Sequence, residues 1–181
     1  MWKEPISCWR GKAAPTRNWF AEPLCLMLTM WQFFEFESDF VASLRCIPMQ
    51  VRYKLDTCGV KLKLQHWHSF SELQRHLLID LSCETDAEVI AYREKLRSLV
   101  WETCQDCPKD LPIDQVPAWM QVNIIPESVL AHTQELNVAI ALSQWQSLTS
   151  LQRFALIKLS TSNHENNNFL PALTEFGILI K

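Results

Sequence analysis

IPMQVRYKLDTCGVKLKLQHWHSFSELQRHLLIDLSC, residues 47–83, recurs 78 positions later as IPESVLAHTQELNVAIALSQWQSLTSLQRFALIKLST, residues 125–161. The two stretches align without a gap, and 14 of their 37 positions are identical, among them Pro48, Trp67, Leu73, Gln74 and Arg75. An internal repeat of this length marks two related structural units, neither able to bury its apolar face alone. It also supplies a control. Residues the copies share belong to the common fold, and chemistry found in one copy only is where a function can reside.

Each copy carries the same local signals. Pro48 and Pro126 suit the first turn of a helix, where a missing N–H leaves nothing unpaired. Val51, Leu55 and Cys58 follow at the spacing of one helical face. Gly59 and its counterpart Asn137 are the two residue types most at ease with left-handed backbone, so both mark the end of a helix. Val60–Leu64 alternates like a half-buried strand, whereas Val138–Leu142 is apolar throughout. Two readings stand for this segment: a short two-stranded ribbon between the copies, or the start of the next helix. Ser71 and Thr149 are helix N-caps, and Leu151, Phe154, Ala155 and Leu159 form one stripe. After the first copy, Thr85-Asp86-Ala87-Glu88 is a capping box. It opens a helix with Val89, Tyr92, Leu96, Leu99 and Val100 on one face. After the second, the asparagine-rich run Asn163–Asn168 interrupts the counterpart, and a last short helix runs from near Pro171 to Gly177.

The fold class is mainly α. Two sequence-related helical units, about residues 47–104 and 125–177, are expected to pack about a pseudo-two-fold axis. A proline-containing linker, 105–117, joins them within a single helical domain over 30–181. Residues 1–29 read as an extension with little structure. They pair scattered cations with the short apolar run Leu24–Leu28, without a cleavage site of small residues behind it. No stretch is apolar and long enough for a membrane helix.

Composition excludes several classes. A net charge of −3 argues against general nucleic-acid binding. Three glycines in 181 residues are too few for a glycine-rich phosphate loop. The seven cysteines are odd in number and irregular in spacing, which suits reduced thiols in the cytoplasm. Cys104 and Cys107 form one CxxC, but a structural zinc site needs four ligands. The His66-Trp67-His68 trio is matched by Gln144-Trp145-Gln146, so the fold asks for polar–Trp–polar and the histidines read as surface variants. Arg75 and Arg153, shared by both copies, read as parts of a structural hydrogen-bond network. No catalytic constellation, metal site or cofactor site emerges.

The sharpest difference between the copies is charge. Arg45, Arg52, Lys54, Lys61 and Lys63 face Asn123, Leu130, His132, Ala139 and Ala141 in the alignment. A cationic face on the first unit would suit an acidic partner surface or an anionic group. The alternative is a merely solvated face, with the two alanines buried in the second unit. A second distinctive segment is Phe33-Phe34-Glu35-Phe36-Glu37-Ser38-Asp39-Phe40, read as an amphipathic strap on the core.

That phenylalanine-rich segment, continued through Val41 and the block Ser43–Asp56, closely resembles the opening of the nitrate reductase-associated protein family. Leu151–Ser160, His164-Glu165-Asn166 and Asn168–Leu173 resemble that family's end. The similarity runs from about Met30 to Gly177. It implies an accessory protein of assimilatory, molybdenum-dependent nitrate reductase, which helps that enzyme mature or become active without reducing nitrate itself. The implied partner is the nitrate reductase polypeptide, and the family brings no catalytic residues to carry over. His164, Glu165 and Asn166 join the five cations as candidate partner contacts. A small cysteine-based redox or metal-handling protein is the alternative function.

Overall fold

Helix dominates the described residues and recurs in the second stretch where the first has it. The computed structural model describes residues 33–41, 43–161 and 166–179. Along the chain run α1 (Ser38–Val41), α2 (Met49–Thr57), β1 (Val60–Lys61), α3 (Leu64–Ser69), α4 (Glu72–Asp80), α5 (Asp86–Cys104), β2 (Lys109–Asp110), α6 (Glu127–Glu135), α7 (Leu142–Ser147), α8 (Ser150–Thr161) and α9 (Phe169–Glu175). Short 3-10 turns occur at Glu35–Glu37, Ala118–Met120 and Asn166–Asn168. Helices α2, α3 and α4 correspond to α6, α7 and α8, and each pair begins 78 residues apart. The correspondence covers element order and caps. The expectation for residues 1–29 falls outside the described residues.

Shared residues do shared work. Pro48 and Pro126 stand just before their helices with nearly the same extended backbone. Gly59 and Asn137 both take positive φ, 65° and 55°, at the ends of α2 and α6. Ser71 and Thr149 accept from the amides of Gln74 and Gln152, and both glutamines return a bond to the cap's own amide. This reciprocal pairing satisfies two helix-end donors at once. Trp67 and Trp145 are fully buried, and their indole N–H groups donate to Leu44 O at 2.8 Å and Gln121 O at 3.0 Å.

The arginines are structural, as the repeat implies. Arg75 donates to the carbonyls of Trp67, Leu44 and His68 at 3.0–3.2 Å. Arg153 donates to Trp119 O at 2.7 Å and Leu148 O at 2.6 Å. A planar guanidinium can span several carbonyls that no single ammonium could reach together. These clamps tie the C-terminal end of each tryptophan helix, and the segment that precedes α2 or α6, to the helix that follows the tryptophan helix.

Two apolar clusters fill the interior. One gathers α2 to α5 around Val51, Trp67, Leu78, Tyr92 and Leu96. The other gathers α6 to α9 around Trp145, Phe154, Leu156, Phe169 and Leu173, and it also takes Met49 from α2. The phenylalanine-rich strap serves both: Phe33 packs against the first cluster, Phe34 and Phe36 against the second. Its Glu37 is buried and accepts Met49 N at 2.9 Å, so this carboxylate caps α2, whose Pro48 has no capping side chain. Burial raises the Glu37 pKa above the usual carboxylate value.

Two expectations need correction. The ribbon forms, but not between the copies: Val60–Lys61 pairs antiparallel with Lys109–Asp110 from the linker. The second copy's counterpart, residues 138–141, forms no strand. His66 is also no surface variant. It is 3% exposed, held by a hydrogen bond that Gln144 does not reproduce.

Candidate partner interface

The ribbon concentrates the charge that sequence comparison assigned to the first unit. Strand alternation gives its two positions opposite faces. Val60 points into the core, 1% exposed, and its partner Asp110 takes Arg93 at 2.7 Å and Arg97 at 2.6 Å from α5. Arg93 also donates to the carbonyls of Cys58 and Gly59, which locks the ribbon onto that helix. On the other face Lys61 and Lys109 stand opposite one another, both exposed. Two residues further on, Lys63 precedes α3 and its ammonium lies 2.9 Å from Asp106 Oδ2. The same oxygen meets His66 Nε2 at 2.9 Å. The bonds from Lys63 and His66 hold the Asp106 carboxyl down at about 2.

The five cations read from the sequence therefore divide. Lys54 donates to Ile79 O at 2.6 Å and Leu81 O at 2.7 Å, so its charge serves the C-terminal end of α4. Its burial lowers its pKa. Arg52 is half-buried and donates to Ile47 O at 3.0 Å. Arg45, Lys61 and Lys63 are exposed. Lys109 joins them without any sequence signal: it lies in a two-residue strand that carries no periodicity, and only the pairing reveals it. Ala139 and Ala141 are exposed, not buried, so the two copies differ in charge at equally accessible positions. His164 and Glu165 lie outside the described residues, and Asn166 opens a 3-10 turn.

The family described as conserved nitrate reductase-associated protein has a sequence model that matches residues 33–176, most of the chain. The chain belongs to the nitrate reductase-associated protein family. No curated protein and no solved structure matches it. The match begins at the strap and ends one residue beyond α9, two segments the fold brings together. The Glu175 carboxylate accepts Glu35 N at 2.9 Å and Phe36 N at 3.1 Å. Phe34 stacks on Phe36 at 5.2 Å and meets Phe176 edge-on at 5.0 Å. An open cleft of about 710 Å³ lies over this junction, with Phe36, Leu170 and Pro171 among its lining.

Among the described cysteines, Cys58 and Cys83 are buried. Burial pushes Cys58 up to about 12 and Cys83 up to about 11, which disfavours the reactive thiolate at neutral pH. Among the described residues no three His, Cys, Asp or Glu side chains converge as metal ligands. Among the same residues no helix is long and apolar enough to cross a membrane.

Proposed function

We propose that this chain is a non-enzymatic, cytoplasmic accessory factor that binds the nitrate reductase polypeptide and supports its maturation or activity. Membership of the nitrate reductase-associated family is the observation that carries the reading. The contact includes the exposed cations of the first unit, Arg45, Lys61 and Lys63. Their presence on one copy and absence from equally exposed positions of the other supports a role beyond folding. The factor needs no cofactor of its own, because its part is to hold a polypeptide.

Co-expression with the reductase tests this. The reductase should co-purify with the chain and gain specific activity and molybdenum content from its presence. The Lys61→Glu/Lys63→Glu variant should fold normally and lose much of that effect. A reductase that neither co-purifies nor changes in activity or metal content would overturn the reading. Undiminished capture by the variant would reject the assigned contact alone.

A further inference from the structure

We propose that the Lys61–Lys109 pair docks a carboxylate-rich segment of the partner protein, and that it is held at some cost to the chain's own stability. The proposal rests on the accessory-factor reading and gives its contact a chemistry.

Register supplies the first argument. Leu111 N donates to Gly59 O at 2.9 Å, which makes that pair a hydrogen-bonded one. Two positions along, Lys61 and Lys109 form the next such pair, with Cα atoms about 5.5 Å apart and side chains on one face. Like charges directly opposite one another on a ribbon are destabilising. Neither lysine has a carboxylate partner among the described residues.

Local charge supplies the second. The two nearby acids are already engaged: Asp106 by Lys63 and His66, Asp110 by Arg93 and Arg97. Lys61 and Lys109 are thus left without a carboxylate among the described residues, while Asp106 and Asp110 are taken up by Lys63, Arg93 and Arg97. The chain as a whole carries −3. Positive charge left over in this way steers an oppositely charged partner and orients it on arrival.

Side-chain type supplies the third. The outward cations are lysines, point charges on flexible stems, while both arginines of the ribbon face are committed to Asp110. Lysines adapt to several carboxylates spread along a peptide. Tight recognition of one small oxyanion would favour a forked guanidinium.

The test uses the full chain and a fluorescein-labelled peptide rich in Glu and Asp, followed by anisotropy at low and physiological salt. Lys61→Glu and Lys109→Glu should each weaken binding by about tenfold. Each should also raise the melting temperature by about 1–3 °C, because each replaces a repulsive pair by an attractive one. The double variant should lose binding and return to nearly the wild-type melting temperature, with two glutamates now opposed. Lys95→Glu, on the exposed side of α5, should change neither. The proposal is overturned if the single reversals fail to raise the melting temperature, if they bind the peptide as Lys95→Glu does, or if pyrophosphate competes as well as the peptide. If peptide binding and the melting pattern hold but the reductase does not bind, the accessory reading fails and this site stands.

Discussion

Replacing Arg153 by Met should destabilise the protein about twice as much as the same replacement of Arg75. The two arginines occupy equivalent positions of the repeat and differ chiefly in burial, although Arg75 also lies 5.9 Å over the Trp67 ring. Arg153 is 6% exposed, and its guanidinium makes short bonds to Trp119 O and Leu148 O at 2.7 and 2.6 Å. Met fills much of the volume but leaves both carbonyls without a donor. A charge-assisted bond is worth about 1.5–3 kcal/mol, and an unsatisfied buried carbonyl costs about 1–3 kcal/mol. Partial rehydration returns some of this, which leaves a net loss of about 3 kcal/mol. Arg75 is half-buried and its bonds are longer, at 3.0–3.2 Å. Water can reach the carbonyls it vacates, so the loss there is about 1–1.5 kcal/mol. A domain with 5–15 kcal/mol in hand should survive either change. Urea unfolding, with the slope unchanged, should show the larger midpoint shift for Arg153→Met. Arg153→Lys should recover little, since one ammonium cannot span both carbonyls. Equal losses at the two positions, or full recovery by Lys, would refute burial of the clamp as the deciding factor.

Other consequences are separable. Gly59→Ala should cost about 2–3 kcal/mol: φ is +65°, and a Cβ would sit 2.5 Å from Ile113 Cγ1 and 2.9 Å from Leu111 O. Asn137→Gly at the equivalent turn should be nearly neutral, and chemical denaturation of the two variants compares them directly. Because the folded Asp106 pKa is depressed from 3.8 to about 2, its share of stability is present above pH 3.8 and is lost as pH falls towards 2. Asp106→Asn should therefore show a shallower loss over that acid range in a pH-dependent melting series. Native alkylation at pH 8 should spare Cys58 and Cys83; rapid labelling of both, or a stoichiometric metal on elemental analysis, would instead favour the redox or metal-handling alternative.

The helices were legible because their signals are local and written twice. Proline, Gly59 or Asn137, the Ser71 and Thr149 caps and the Leu-Gln-Arg triplets each act within a few residues, so the offset of the repeat became the offset of the elements. The ribbon was not legible. Lys109 and Asp110 lie nearly 50 residues from their partners, in a strand too short for any alternation to show, and pairing is decided by the packing of α5 beneath it. Comparing the copies did find the charge difference, but it could not tell which cations are spent internally. Lys54 looks like Lys61 in sequence, yet it closes the end of α4. His66 was misjudged for a related reason: the glutamine opposite it in the repeat has no Asp106 to meet. The burial of Glu37 follows from a helix whose N-cap is proline, a demand that sequence patterning does not express.

Zero-length carbodiimide cross-linking of the chain to nitrate reductase, read by mass spectrometry, joins only lysines and carboxylates already in contact. If the lysines of the ribbon make the contact, cross-links run from Lys61, Lys63 or Lys109 to a clustered set of Asp and Glu residues on the reductase, and are lost in 0.5 M salt because ~3–5 Å screening suppresses such contacts. Cross-links confined to Lys95, Lys158 or other sites away from the ribbon would contradict that contact.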